Sequence, residues 1–265
     1  MRTFTLKGLF VTVVFMVLGC LAIHAADGDL ITKQITIKLE KAGTLPSKIG
    51  DTKKYKITNL KIMGEINGTD LDFIDDMAGR YDWGRLATLD LSEAKIVKGG
   101  DYYYHGYYFG DFFCYTWDDV IGDYAFSGCR SLTNLTLPSS VTEIDYKAFA
   151  GCSGLISLTL PSSVTEIGDY AFLGCRGLTS LTLPSSVTEI GWCAFSGCSG
   201  LTSIYVSRES PASIETSTFE DANTEKCILY VPKGTYDDYR FTYWGILAQV
   251  RKSVDSPPGM LTKRL

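Results

Sequence analysis

The octapeptide Leu137-Pro-Ser-Ser-Val-Thr-Glu-Ile144 recurs without change at residues 160–167 and 183–190. The copies begin 23 residues apart, and a Leu-x-x-Leu-x segment precedes each of them. A period of this length is typical of chains in which each unit forms one coil and cannot bury its apolar face alone. The sequence therefore predicts a solenoid of stacked coils.

Stacking the units places like residues over one another, and the apolar positions become internal columns. On the strand side the columns are Leu132, Leu155, Leu178, Leu201; Leu135, Leu158, Leu181, Ile204; and Leu137, Leu160, Leu183, Val206. On the second side they are Val141, Val164, Val187; Ile121, Ile144, Ile167, Ile190; Ala125, Ala148, Ala171, Ala194; and Phe126, Phe149, Phe172, Phe195. Alternation along the Leu-x-Leu strand directs the strand-side residues inward, so we interpret these columns as the core.

Weaker copies of the strand occur at 57–62, 86–91 and 229–231. Together these segments predict a leucine-rich-repeat solenoid with one parallel sheet of about seven strands, an irregular second side and small α/β caps. We expect a signal peptide at 1–25 and an N-terminal cap with the first strand at 26–85. The repeats follow at 86–206 and contain an aromatic insertion at 98–120. A C-terminal cap at 207–252 and a flexible tail at 253–265 complete the expected division of the chain. Within the C-terminal cap, residues 236–247 have the pattern of one aromatic-faced helix.

The N-terminus has the pattern of a secretory signal peptide. Arg2 and Lys7 precede an apolar stretch from Leu9 to Ile23, and cleavage after Ala25 fits the small residues there. The alternative is a lipoprotein signal with Cys20 acylated. Removing residues 1–25 leaves 23 Lys and Arg against 30 Asp and Glu, a formal charge of −7, and no transmembrane segment. This acidic balance argues against nucleic acid as a partner.

The cysteine spacing indicates packing rather than cross-linking. Cys129, Cys152, Cys175 and Cys198 recur every 23 residues, so they form one more internal column of small hydrophobic side chains. Vertical disulfides are the alternative, but side chains in a parallel column point the same way, which disfavours the required torsion. The pairing of Cys114, Cys193 and Cys227 stays open, and the sequence has no Cys-x-x-Cys zinc motif.

The repeat L-T-S-L-T-L-P-S-S-V-T-E-I-G-x-x-A-F-x-G-C-S-G resembles the BspA-like leucine-rich repeats of bacterial surface proteins, over about residues 86–232. The segment from Tyr230 to Tyr239, with Tyr243-Trp244, resembles the closing segment of such proteins. The resemblance implies an adhesion and interaction protein, secreted or on the cell surface. In some members the ligands are matrix or plasma proteins of a host. It implies no catalysis and provides no defined binding residues.

The insertion is the first candidate binding site, because residues 102–117 contain ten aromatics among sixteen. Tyrosine combines a large apolar area with a hydroxyl at low entropic cost, which suits recognition. The predicted site residues are Tyr102, Tyr103, Tyr104, Tyr107, Tyr108, Phe109, Tyr115 and Trp117. Alternatively, the insertion folds back and buries its own rings against the solenoid. A second candidate is the exposed sheet face, with Thr136, Thr159, Thr182 and Tyr205.

These patterns favour a binding protein over an enzyme. Beyond residue 25 the chain has one histidine, His105, and it lacks a Gly-x-Ser-x-Gly motif, so we expect no catalytic residue, metal site or cofactor. The predicted function is adhesion through an extracellular protein of a host or a neighbouring cell. Capture of a glycan by the aromatic insertion and a structural role in the envelope are the alternatives.

Overall fold

The computed structural model describes residues 30–80, 83–106, 111–247 and 249–252, the last four by their backbone only. The predicted signal peptide, the predicted tail at 253–265 and three predicted site residues, Tyr107, Tyr108 and Phe109, lie outside the described residues.

The strands in chain order are β1 (Ile35–Lys38), β2 (Asn59–Ile66), β3 (Thr88–Ile96), β4 (Gly99–Gly106), β5 (Phe112–Thr116), β6 (Val120–Ile121), β7 (Asn134–Thr136), β8 (Glu143–Ile144), β9 (Ser157–Thr159), β10 (Glu166–Ile167), β11 (Ser180–Leu183), β12 (Glu189–Ile190), β13 (Ser203–Val206), β14 (Ser213–Ile214), β15 (Ile228–Val231) and β16 (Gln249–Lys252). The helices are α1 (Leu45–Ile49), α2 (Asp51–Lys54), α3 (Gly68–Met77) and α4 (Tyr236–Arg240), followed by a 3₁₀ helix at Tyr243–Ile246.

The leucine side of the solenoid is a row of parallel strands. The ladder β1-β2-β3-β7 is followed by β9-β11-β13-β15-β16, and β7 and β9 are neighbours without a regular ladder between them. The predicted strands are all present, and the chain adds β1 and β16 at the two ends. Both end strands belong to the caps, so each cap continues the ladder beyond the repeats.

The predicted columns form the core. The rings of Phe126, Phe149, Phe172 and Phe195 lie flat on one another, with centroid distances of 5.3, 5.0 and 5.1 Å and interplanar angles of 3°, 4° and 1°. Phe219 adds a fifth ring at 5.5 Å. The column of four cysteines is also buried, and all four thiols are free. The periodic sequence thus produces a periodic interior.

The second side is more regular than the sequence indicates. The two-residue strands form a parallel ladder in the order β6-β8-β10-β12-β14, and turns follow each strand. In these turns Tyr124, Lys147, Tyr170 and Cys193 have φ between 52° and 59°. The same left-handed corner therefore recurs in successive coils, although none of these residues is glycine.

The caps use side chains where the repeat ends. At the start of α3, Asn67 and Asp70 form a capping box, and the Asp70 carboxylate also accepts hydrogen bonds from the backbone N–H groups of Gly43 (2.6 Å) and Leu45 (2.9 Å). At the other end, the expected single helix at 236–247 is wrong. The chain breaks after α4, where the Thr242 hydroxyl donates to the carbonyl of Tyr239 (2.8 Å).

The break turns Trp244 onto the last coil. Its indole Nε1 donates to the carbonyl of Ala212 (3.0 Å). In the preceding coil the equivalent carbonyl, that of Thr188, accepts the backbone N–H of Ser213 (2.9 Å). Trp244 therefore takes the place of the next coil as donor. None of the helices in the described ranges is long and apolar enough to span a membrane.

Candidate interaction surface

The aromatic insertion is a β-hairpin. Strands β4 and β5 pair antiparallel, with Tyr104 opposite Cys114 and His105 opposite Phe113, and the register shifts between Gly99 and Tyr104. Because successive side chains of a strand point to opposite faces, the hairpin has an inner and an outer face. The interpretation that the insertion buries its own rings applies to the inner face, and only the outer face is left for the predicted binding.

The inner face is buried against the solenoid. Tyr103 is 2% exposed and its hydroxyl donates to the carbonyl of Asp123 (3.0 Å). Cys114 and Thr116 are also buried, and the Thr116 hydroxyl donates to the carbonyl of Gly99 (2.9 Å). The expectation that Tyr103 belongs to a binding surface is therefore wrong. Its ring fills space between the hairpin and the first coil.

A buried contact between Arg80 and Asp75 fastens the hairpin to α3 and the first coil. The guanidinium of Arg80 lies 2.7 Å from the Asp75 carboxyl group and donates to the carbonyls of Tyr103 (3.0 Å), Tyr124 (2.6 Å) and Ser127 (3.0 Å). The Cys129 thiol donates to the other Asp75 oxygen (3.2 Å). Burial raises the pKa of Asp75 to about 8, although Arg80 acts in the opposite direction.

This cluster was not predicted from the sequence. The available signal was a carboxylate at the core-facing position of a helix, since Asp75 follows Leu71 and Ile74 at helical spacing. A buried acid in such a position requires a partner.

The outer face of the hairpin is exposed. The fractional exposures of Tyr102, Phe113, Tyr115 and Trp117 are 45%, 45%, 49% and 55%. The Phe113 ring lies 4.8 Å from the Tyr102 ring and stacks on His105 at 4.4 Å. We call Tyr102, Phe113, Tyr115 and Trp117 the outer aromatic face. Three of these residues are predicted site residues, and Phe113 is an addition.

Trp117, next to the end of β5, also contacts a cation. The ammonium group of Lys98 lies 4.2 Å from its ring centroid. Such a contact stabilises the orientation of an exposed ring by roughly 0.5–1 kcal/mol. The indole thus has a defined position on the surface.

Tyr104 belongs to a different surface. Its ring stacks on Tyr124 at 4.2 Å and an interplanar angle of 5°. From Tyr124 a series of neighbouring rings continues along the coils through Tyr146, Tyr170 and Trp192. We call Tyr124, Tyr146, Tyr170 and Trp192 the aromatic stripe. The repeat alignment contains a signal for the stripe, an aromatic one or two residues before the Ala-Phe pair of each unit, but the stripe was not predicted from the sequence.

The alternative sheet-face residues lie in one row. Thr136 and Thr159 are exposed, whereas Thr182 and Tyr205 are half-buried, and Tyr205 stacks on Tyr230 at 4.6 Å. Where the ladder is interrupted between β7 and β9, a shallow groove of about 500 Å³ has Thr136 and Thr159 on its walls. This face is uncharged there, with small hydroxyl side chains. In the described ranges no cluster of three or more His, Cys, Asp or Glu residues is placed to hold a metal ion.

Comparison with known proteins assigns the repeats. The family model of the BspA type leucine rich repeat region matches residues 119–244 with six copies. These residues are a BspA-type leucine-rich repeat region. The BspA-type region thus includes the strands β6–β15, α4 and the start of the 3₁₀ helix. The resemblance inferred from the repeat motif is confirmed.

Solved structures similar to this chain come from several bacteria. A leucine rich cell surface protein of Faecalibacterium prausnitzii A2-165 is 20% identical with a TM-score of 0.33, over 69% of this chain and 36% of that one. A leucine-rich repeat protein of Bacteroides ovatus ATCC 8483 is 20% identical with a TM-score of 0.37, over 84% and 42%. The pneumococcal vaccine antigen PcpA is 16% identical with a TM-score of 0.42, over 74% and 57%.

The chain therefore spans 36% and 42% of the lengths of the first two of these structures. The comparison with curated proteins gave no match.

Proposed function

We propose that this chain is an exported protein-binding scaffold that acts in adhesion at the cell surface, and that the outer aromatic face is its contact surface. The observation that carries the proposal is the division of the hairpin into two faces. One face is buried on the solenoid, and the other presents four aromatic side chains to solvent. Aromatic residues held on a rigid support commonly dominate binding energies at interfaces.

The scaffold lowers the entropic cost of binding at this face. Tyr103 and the carbonyls held by Arg80 fix the hairpin, and Thr69 fixes its first strand through its hydroxyl, which donates to the Asp101 carboxylate (3.1 Å). A partner therefore meets rings whose backbone is already ordered. Preorganisation of this kind increases affinity without adding contacts.

The test is a binding array of extracellular proteins and glycans probed with the purified chain. We expect a protein ligand, and we expect the triple variant Tyr102→Ala, Tyr115→Ala, Trp117→Ala to lose it by at least about 2 kcal/mol, the scale of an interface hot spot. The matched control is Thr136→Ala, Thr159→Ala, Thr182→Ala on the sheet face, which should bind normally.

Three outcomes contradict this assignment. Loss of binding in the threonine variant alone would transfer the site to the sheet face. A glycan as the ligand lost in the aromatic variant would favour glycan capture over adhesion to a protein. Normal binding in both variants would exclude both surfaces.

Export is tested separately from binding. We expect the protein in the culture medium or on the cell surface, with a mature N-terminus at Ala26 when Ala25 is the cleavage site. A mature protein that begins with lipid-modified Cys20 would instead establish lipoprotein anchoring. Recovery of the uncleaved chain from the cytoplasm would contradict export.

A further inference from the structure

The aromatic stripe results from an alternation that the repeat itself does not require. Tyr124 and Tyr170 occupy the left-handed corner of their coils, whereas Tyr146 and Trp192 occupy the residue before it. Successive centroids are 5.5, 5.7 and 5.0 Å apart, with interplanar angles of 75°, 83° and 76°. The rings therefore meet edge to face, and Trp192 is 50% exposed.

The left-handed corners keep long side chains in three of four successive coils. Tyr124, Lys147 and Tyr170 have φ of 59°, 53° and 57°, and in the next coil the corner residue is Cys193, with a φ of 52°. Glycine is the usual residue in this region, because a Cβ atom clashes with the backbone there. A strained position that keeps a large side chain points to a role for that side chain.

The stripe already accommodates one ammonium group. The Nζ atom of Lys147 lies 5.7, 4.9 and 5.4 Å from the ring centroids of Tyr124, Tyr146 and Tyr170. These distances are within the range in which a cation is attracted to an aromatic face. The intramolecular contact shows which chemistry the surface accepts.

Carboxylates line the stripe. Exposed Glu143, Glu166 and Glu189 stand in register on the neighbouring ladder. Asp123 and Asp169 directly precede the stripe residues Tyr124 and Tyr170, and their carboxylates accept hydrogen bonds from the backbone N–H groups of Tyr146 (3.1 Å) and Trp192 (2.7 Å). Burial, together with Asp123, Glu143 and Glu166, raises the pKa of Asp145 to about 6. The local potential is therefore negative.

We propose that the aromatic stripe and its carboxylates form a docking surface for a lysine- or arginine-rich segment of a partner protein. The cations of that segment lie over the half-buried ring of Tyr170 and the exposed ring of Trp192 and pair with the flanking acids. This inference rests on the proposed function in one respect only, that the partner is a protein. A neutral glycan would stack on the rings and donate hydroxyl hydrogen bonds to the carboxylates, but it carries no positive charge to pair with them, and an anionic ligand would be repelled.

The test measures binding of a fluorescent oligoarginine peptide to the purified protein. We expect affinity that falls as ionic strength rises, because exposed charges are screened. The double variant Tyr170→Ala, Trp192→Ala should bind on the order of tenfold more weakly, since two cation–π contacts are lost. Melting temperatures confirm that the variants are folded.

Substitution of Lys147 tests whether its ammonium group competes with the peptide for the rings. The variant Lys147→Gln keeps two of the four methylene groups and removes the competing charge, so the peptide should bind several-fold more tightly. A role of Lys147 in holding the binding-competent rings in place would give weaker binding instead, and that result would overturn the proposal.

A matched pair of charge variants separates the stripe from the net charge of the chain. We expect Glu143→Gln, Glu166→Gln to weaken binding, and Glu225→Gln, Asp237→Asn, with the same loss of charge elsewhere, to leave it unchanged. Equal effects of the two pairs, or tighter binding of a neutral oligosaccharide than of the peptide at Trp192, would also overturn the proposal. Peptide binding should survive in the outer-aromatic-face triple variant, so failure here is distinguishable from failure of the proposed function.

Discussion

At the scale of single residues, the flat phenylalanine stack determines how the coils tolerate substitution. Phe172 lies between Phe149 at 5.0 Å and Phe195 at 5.1 Å and is fully buried. The coil spacing is fixed by backbone hydrogen bonds, such as that from Phe172 N–H to the carbonyl of Ala194 (2.7 Å). The neighbouring rings are therefore unable to close a gap.

We predict that Phe172→Ala lowers the free energy of unfolding by about 3–5 kcal/mol, because the cavity between the coils stays open. Urea unfolding measures the change. A loss below about 1 kcal/mol would show that the stack relaxes after truncation.

The thiols of the cysteine column should be unreactive in the folded protein. The thiols of Cys152 and Cys175 donate to the carbonyls of Phe126 (3.0 Å) and Phe149 (3.2 Å) in the preceding coils. Burial raises the pKa of Cys152 to about 12, so little reactive thiolate forms. We predict that both residues react with a thiol reagent only after denaturation. Mass spectrometry that finds a bridge between them would contradict this.

Asp75 should make stability depend on pH. Its folded-state pKa of about 8 lies above the ordinary value of 3.8, so between these values the folded chain holds a proton that the unfolded chain releases. The stabilisation that this proton provides is therefore complete below the ordinary pKa of 3.8. It is lost as pH rises through the folded-state pKa of about 8. We predict that the free energy of unfolding falls as pH rises through this window.

The measurement is urea unfolding at several pH values between these limits. In Asp75→Asn the proton is replaced by a permanent neutral amide, so this dependence should flatten. The same slope in both proteins would assign the pH dependence to other groups.

At the scale of the element, the two faces of the hairpin should respond differently to the same change. Tyr103 is buried and hydrogen bonded to the carbonyl of Asp123, whereas Tyr102, next to it in β4, is 45% exposed. Tyr102→Ala is therefore a matched control for Tyr103→Ala, because the two tyrosines are adjacent and differ in burial.

We predict that Tyr103→Ala lowers the free energy of unfolding by about 3–5 kcal/mol, and that Tyr102→Ala changes it by about 0.5 kcal/mol or less. Denaturant unfolding of the two variants measures both changes in the free energy of unfolding. Similar small losses in both would show that the hairpin does not contribute to the core.

At the scale of the whole molecule, stability is nearly one-dimensional, since each coil contacts mainly its neighbours. The ends are consequently the weak points. Trp244 protects the C-terminal end by donating to Ala212, and its ring also contacts Phe219 at 5.6 Å and Tyr239 at 5.9 Å.

We predict that Trp244→Ala frays the last coil and leaves the middle intact, because the lost donor and cavity are local. Hydrogen exchange should accelerate at β14 and β15 but not at β8 to β10. Uniform acceleration along the chain would show that the solenoid unfolds as a single cooperative unit.

The sequence by itself determined what repeats. The 23-residue period identifies the coil, the apolar columns and the stacked cysteines, because every unit places the same side chain at the same point of its turn. It also identified the insertion as the least regular segment. The tertiary structure was not needed for any of these, since each depends on contacts between equivalent positions in adjacent units.

Only the tertiary structure decided which rings of the insertion are exposed. Tyr102 and Tyr103 are identical in sequence terms, and the docking of the hairpin on Arg80 and Asp123 determines that one faces solvent and the other the core. The pairing of Asp75 with Arg80 and Cys129, and the contact of Trp244 with Ala212, were equally inaccessible from the period. These contacts join the repeats to non-repeating segments, and the geometry of such joints follows from packing rather than from periodicity.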